Sequence, residues 1–314
     1  MTRYLLRKAL IFLLSLFVVS SLTFFLMHAI PGDPFTQEKA VPPEILNAMY
    51  RHYGLDKPLH MQYLYYLKGL LTWDLGPSFK YSGRSVTEII SEGFPISFSL
   101  GMSALGFSIF IGIGLGSLAA LKHMKWQDNF VMILAVIGIS VPSFILATFL
   151  QYFFCMKLDW LPVARWGTIS HIILPALSLA ALPMAFIARL TRSSMIEIFQ
   201  QDFIQTAKSK GINNFQLIYK HILRNSMLPV VTYLGPLTSS IITGSFAVEK
   251  IFGIPGLGQW FVTSIMNRDY TMIMGTTIFY SALLMLCVFL VDILYCLLDP
   301  RIDLMNKRTV YVTE

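Results

Sequence analysis

A chain of 314 residues with 55% hydrophobic and 13% charged residues, at a mean hydropathy of +0.63, falls outside the composition of soluble domains, which carry about 25% charge. Its net charge of +7 does not point to nucleic acid, because the basic residues cluster at the ends of apolar runs, where membrane topology accounts for them. Several runs reach the roughly 20 residues needed to cross a hydrocarbon layer of about 30 Å, so the chain reads as an all-α polytopic membrane protein with six transmembrane helices.

The N-terminus is basic (Arg3, Arg7, Lys8), and an apolar run follows from Ala9 to Ile30. That run is too long for the apolar part of a signal peptide and no small-residue cleavage site follows it, so residues 1–30 are expected to form an uncleaved first span that starts in the cytoplasm. Residues 31–95 then form a polar external insert between the first and second spans. It carries turn signals at Pro31-Gly32-Asp33-Pro34, Val41-Pro42-Pro43 and Gly76-Pro77. Its amphipathic stretch Met61–Leu67, with Tyr63, Tyr65, Tyr66 and nearby Trp73, suits a membrane–water boundary.

Residues 96–303 hold the remaining spans, at about Ile96–Leu121, Phe130–Met156, Ile172–Leu190, Met227–Val248 and Met272–Leu298, and residues 304–314 form a cytoplasmic tail. With alternating connections, 14 Lys and Arg fall inside and only four in the two short outside loops. That asymmetry supports both termini in the cytoplasm. Gly112-x-Gly114-x-Gly116 lies mid-span with no strand before it, so it reads as close helix packing rather than a nucleotide fingerprint. Pro142, Pro175, Pro183 and Pro236 are expected to kink or break their helices. Ser140, Ser143, Thr148, Thr238, Ser239, Ser240, Thr243 and Ser245 either line a pathway, with Ser140, Ser143, Ser240 and Thr243 as the candidates, or supply interhelical hydrogen bonds. Cys155, Cys287 and Cys296 lack CxxC spacing and read as packing residues, and no histidines share metal-ligand spacing. Asp292, an acid inside the sixth apolar run, is either a functional group or a partner of Arg301.

Between the fourth and fifth spans lies the most informative stretch, Arg192–Pro229. Ile196, Phe199 and Phe203, then Phe215, Ile218 and Ile222, keep helical spacing on either side of Gly211. The glycine can take the left-handed conformation that ends a helix. Lys208 and Lys210 suit the preceding helix C-terminus, and Asn213 or Asn214 can cap the next helix. The stretch therefore reads as a cytoplasmic helical hairpin whose apolar stripe has no lipid to bury it, so a protein partner is expected to cover it. No Gly-Lys dipeptide occurs, which excludes a GxxxxGK[ST] phosphate loop, and no catalytic constellation can be assembled. Uphill transport would then draw energy from a partner ATPase or, less well supported with one buried acid and no clear repeat, from an ion gradient through Asp292. A membrane scaffold that carries no flux is a third reading.

The hairpin resembles the EAA loop of binding-protein-dependent ABC importer permeases. Gln205-Thr206-Ala207 stands where the general pattern has Glu-Ala-Ala before the glycine. Arg224 stands where it has proline, with Leu228-Pro229 later. Both departures are similar to the di- and oligopeptide branch, within which Pro34-Phe35-Thr36 with Pro42-Pro43-Glu44 and Gly76–Tyr81 resemble the B-type permeases of the oligopeptide system, while dipeptide, nickel and glutathione permeases share much of the rest. Along nearly the whole chain the same resemblance is carried by Pro31-Gly32-Asp33-Pro34, Pro34-Phe35-Thr36 with Pro42-Pro43-Glu44, Tyr53–Pro58, Trp73–Gly76, Gly76–Tyr81, Val141–Phe144, Ala188–Arg192, Phe252–Gly258, Arg268-Asp269-Tyr270 and Leu298–Arg301. It implies half of a translocation pathway in the bacterial inner membrane, no enzymatic activity and no cofactor. It also implies a homologous second permease subunit, two ABC ATPase subunits, a periplasmic or lipid-anchored peptide-binding protein, and a peptide substrate. Gln205, Thr206, Ala207, Lys208, Gly211 and Phe215 are the implied ATPase-docking residues.

Overall fold

The computed structural model describes residues 2–30, 43–242 and 244–298. The Pro31–Pro34 turn, Thr243, Arg301 and the tail 304–314 lie outside the described residues, as does the side chain of Asp292. In chain order the helices are α1 (Thr2–Ala29), α2 (Pro43–Tyr53), α3 (Leu59–Thr72), α4 (Val86–Leu121), α5 (Trp126–Ser140) and α6 (Ser143–Leu150), which continues as a π-helical turn over Gln151–Lys157. Next come α7 (Ile169–Phe199), α8 (Asp202–Ser209) and α9 (Asn214–Gln216), which runs through a π-helical stretch, Leu217–Leu223, into α10 (Arg224–Ile242). The last are α11 (Phe246–Ile251), α12 (Leu257–Met266) and α13 (Tyr270–Leu298).

Among the described residues, four helices are long and apolar enough to cross a membrane alone: Leu6–Ala29, Val86–Leu121, Ile169–Phe199 and Tyr270–Leu290. Two bent pairs bring the number to as many as six, Trp126–Ser140 with Ser143–Lys157 at 109° and Asn214–Gly235 with Ser240–Ile251 at 46°. The prolines behave differently from one another. Pro142 breaks the third apolar run: Val141 before it is extended (φ −88°, ψ 120°), as the residue preceding a proline is forced to be. Pro175 and Pro183, expected to kink or break the fourth run, do not break it and lie inside the continuous α7. Both are buried in the protein, as are Ala176, Ala180, Ala181 and Ala185 of the same helix, and a buried setting tolerates the lost backbone bonds. Likewise α4 starts at Val86 and passes through Pro95, where the sequence suggested the insert would end.

The chain divides into two compact units, Met1–Glu88 with Ser264–Glu314, and Ile89–Thr263. In the first, α1 packs along α13. Tyr63 and Tyr66 of α3 make contacts with α1. Tyr63 and Ser21 hydroxyls share a 2.5 Å hydrogen bond, Tyr66 donates to Ser20 O, and Phe24 stacks on Tyr66 at 5.3 Å. Tyr65 and Trp73 remain exposed. Asp269, before α13, is 1% exposed. It accepts the Ser78 hydroxyl, the Phe79 amide at 3.2 Å, the Thr271 hydroxyl at 2.9 Å and the Met272 amide at 3.2 Å. One carboxylate thus caps a helix and pins a turn about 190 residues away in sequence.

In the second unit, α7 is the central rod. Gly112 and Gly116 of α4 face it so closely that a Cβ would come within 2.9 Å of Ile187 and 2.5 Å of the Ala188 carbonyl, respectively. That is the close packing expected of the glycine run, whereas Gly114 faces open space. An apolar core joins α4, α6, α7 and α11 through Leu100, Ala147, Ala180 and Val248. Beside it the Glu249 side chain is fully buried. It accepts hydrogen bonds from the Ser97 hydroxyl at 2.8 Å and the Gln259 amide at 3.0 Å, while Ser97 Oγ accepts the Leu257 amide at 2.8 Å. The start of α12 is therefore capped by the chain's own carboxylate.

Candidate functional site

The hairpin closes with the geometry its residues dictate. Gly211 takes φ +76°. Its amide donates to Lys208 O at 2.9 Å and the Ile212 amide to Ala207 O at 3.4 Å, the paired bonds of a Schellman helix end. Asn213 Oδ1 then accepts the Phe215 amide at 3.3 Å and opens the next helix. One feature departs from the sequence reading: the first arm is not continuous, since α7 ends at Phe199 and α8 begins at Asp202.

The apolar stripe is also divided rather than left open. Ile204, Ala207, Leu217 and Ile222 are buried against Met195 and Ala120, with Ile196, Phe199, Ile212 and Ile218 packed partly against them. The expected uncovered stripe is thus mostly covered by the chain itself. What stays exposed is Phe203 at 46%, Phe215 at 74% and Tyr219 at 63%, the last two with rings parallel to within 5° and centroids 6.3 Å apart. Of the six docking candidates, Gln205, Thr206, Lys208, Gly211 and Phe215 lie on the exposed side, while Ala207 faces inward. Thr206 and Ser209 hydroxyls donate back to Asp202 O and Gln205 O, each at 3.1 Å, and so stay close to their own helix.

Of the pathway candidates, Ser140 and Ser143 flank the Val141-Pro142 break, Ser140 exposed and Ser143 half-buried. Ser240 is exposed on α10 and donates to Leu237 O at 2.8 Å. Thr148 and Thr238 donate to Phe144 O and Leu234 O within their own helices, not across to a neighbour.

Sequence reasoning missed the polar contact that ties the hairpin to the third apolar run. Asp128, in the first turn of α5, is 1% exposed. Arg192, on the part of α7 that leads into the hairpin, donates from Nε to Oδ1 at 2.5 Å and from Nη2 to Oδ2 at 2.8 Å. The Met124 amide donates to Oδ2 at 3.1 Å, and His123 Nδ1 lies 3.2 Å from the same oxygen. The sequence offered an acid in the first turn of a helix that follows a basic loop and the Ala188–Arg192 motif, but nothing that paired the two. Among the described residues, no three His, Cys, Asp or Glu side chains are grouped to hold a metal ion.

The long apolar helices, with a packed hairpin between the fourth and fifth apolar runs, have the architecture of a polytopic membrane protein. The chain belongs to the family described as the binding-protein-dependent transport system inner membrane component, whose model matches residues 112–304, and the N-terminal model of the same group matches residues 1–101. It is 49% identical over 307 residues to the dipeptide transport system permease protein DppB of Bacillus subtilis, covering 98% of this chain and all of that protein. It is 43% identical over 304 residues to the oligopeptide transport system permease protein OppB of Haemophilus influenzae, covering 96% and 99%. Among solved structures, the MetNI methionine ABC transporter in an inward-facing form matches with a TM-score of 0.49 at 17% identity, over 66% of this chain and 92% of that one. The protein is a multi-pass component of the inner membrane.

Proposed function

We propose that this chain forms half of the translocation pathway of an ATP-driven importer of oligopeptides, with dipeptides as the near alternative. The observation that carries this reading is the near-full-length similarity to permease subunits named for those two substrate classes. A homologous permease subunit supplies the other half of the pathway, two ABC ATPase subunits supply the energy, and an external binding protein delivers the peptide. Both termini and the hairpin face the cytoplasm, which agrees with the distribution of Lys and Arg, and the external insert that follows the first span runs into the first turns of α4, which begins at Val86.

In this reading Gln205, Thr206, Lys208, Gly211 and Phe215 form the ATPase-docking face, and Ala207 anchors that face from behind. Three exposed aromatics beside a covered apolar core make a surface suited to a protein pocket. Closure of the ATPase dimer then pushes on the hairpin, and α7 carries the displacement to the spans. Ser140, Ser143, Ser240 and Thr243 line the pathway, where short hydroxyls offer small polar contacts to a peptide backbone without selecting side chains.

The test is reconstitution of this chain in vesicles with its partner permease, ATPases and binding protein. ATP-dependent accumulation of peptide is the expected result. Accumulation that follows a proton gradient and needs no ATPase subunits would overturn it in favour of an ion-coupled carrier, and an absence of any flux would favour a scaffold.

A further inference from the structure

We infer that the Asp128–Arg192 ion pair is the mechanical link by which the hairpin sets the angle of the broken third span, an inference that rests on the docking role proposed for the hairpin. The pair joins two rods at the points where such a link would have to act. Arg192 lies about two turns before the end of α7, and Met195, on its next turn, is buried in the hairpin's own core. Asp128 lies at the start of α5. At 1.5 Å per residue, α5 is a lever of about 22 Å whose far end, Ser140, meets the 109° bend at Val141-Pro142. A displacement of the end of α7 therefore acts at one end of α5, and the break flanked by Ser140 and Ser143 lies at the other.

The form of the contact matters as much as its place. Two N–H···O bonds from one guanidinium, Nε to Oδ1 and Nη2 to Oδ2, fix orientation as well as distance. The Met124 amide holds the carboxylate from the other side. An ion pair with one partner buried and the other partly exposed adds little net stability over well-packed apolar side chains, so simple attachment of α5 to α7 does not require one. Near its other end α5 rests on α7 through Gly138, where a Cβ would come 3.1 Å from the Ala181 carbonyl and 3.3 Å from Ala185 Cβ. Among the described residues no side-chain hydrogen bond joins the two helices there. One end of the lever is held by a directional fork and the other by smooth contact, the arrangement of a pivot.

Arg192→Lys tests the link, since it keeps the charge and removes the fork. In vesicles holding the complete transporter, this variant is expected to assemble and hydrolyse ATP as the unaltered complex does, while peptide taken up per ATP falls by about fivefold or more. The exchange Asp128→Arg with Arg192→Asp should recover more of that ratio than either single change. A second arm reads the break directly. A cysteine at Ser143, labelled with a membrane-impermeant maleimide above the background of the chain without it, should change its labelling rate with nucleotide in the unaltered complex and not in Arg192→Lys. Unchanged uptake per ATP, unchanged nucleotide-dependent labelling, a Ser143 site insensitive to nucleotide in both forms, or losses that merely track the amount of assembled complex would each overturn the link. Failure of the unaltered complex to import peptide would instead count against the proposed function, and the labelling arm would still decide the link.

Discussion

The Glu249 carboxylate and the Ser97 hydroxyl meet at 2.8 Å although they lie 152 positions apart, and glycines leave the space in which they meet. A Cβ added at Gly244 or at Gly256 would come within 2.6 Å of the Glu249 carboxyl group, and one at Gly258 within 3.0 Å. At Gly256 the Ser97 hydroxyl is equally close. Two of those glycines belong to the Phe252–Gly258 motif, so a run that looks like a loop signature in sequence is the wall of a carboxylate cage. A buried carboxylate is costly unless its oxygens are satisfied, and here hydroxyl and amide donors from α4 and the start of α12 satisfy them.

Gly256→Ala should therefore cost stability through overpacking, by about 1–3 kcal/mol, and Glu249→Ala should cost more by leaving the buried Ser97 hydroxyl and the Gln259 amide without their acceptor. Thermal unfolding of the detergent-solubilised protein checks both. Gly114→Ala is the control: it faces open space and should leave the midpoint unchanged.

Asp269→Ala should release the Gly76–Tyr81 turn and the start of α13 together. The lost helix cap alone is worth about 1–2 kcal/mol. Hydrogen exchange is the direct measurement: the Phe79 and Met272 amides, which donate to this carboxylate, should exchange faster in the variant, whereas exchange in α8 should not change.

The hairpin separates into a buried side and an exposed side, the proposed docking face, and substitutions on the two should differ in effect. Ile204→Ala, at a fully buried position, should lower stability by about 2–5 kcal/mol and lose the ATPase subunits as a consequence. Phe215→Ser, at a position 74% exposed, should leave the unfolding midpoint in place and still reduce co-purification of the ATPases. Equal retention of ATPases by Phe215→Ser and the unaltered chain would show that the docking face lies elsewhere.

Gly211→Asp offers a sharper separation. The position has φ +76° and no neighbour within 4 Å of an added Cβ, so only backbone conformation opposes a side chain there, at about 1–2 kcal/mol for most residues and less for Asn or Asp. Gly211→Asn should accumulate in the membrane and support transport. Gly211→Asp should accumulate equally and lose transport, because the added charge lies on the proposed docking face. The comparison of uptake with membrane abundance in the two variants is the measurement.

The site was legible in the sequence only where local chemistry decides it. Gly211, Lys208 and Asn213 announced the turn because a left-handed glycine, a C-terminal cation and an Asn cap act within a few residues of chain. Asp128–Arg192, 64 positions apart, left no such trace, since neither residue's neighbours differ from those of any helix end. Nor did periodicity separate Ile204 and Leu217, which are buried, from Phe203 and Phe215, which are exposed. The spacing picked out Phe203 and Phe215 and passed over Ile204 and Leu217, and only the docking of both hairpin arms on Met195 and Ala120 tells them apart.

By itself the sequence determined that this is a membrane protein, where its apolar runs lie, and that a glycine-ended hairpin interrupts them, because transfer of a run into lipid and the conformation of a turn depend on the residues in that run and that turn. The tertiary structure decided which prolines break a helix, which apolar face is already covered, and how Asp128, Glu249 and Asp269 find their partners. Those outcomes depend on groups that folding brings together from distant parts of the chain, and their energies exist only once the helices have packed.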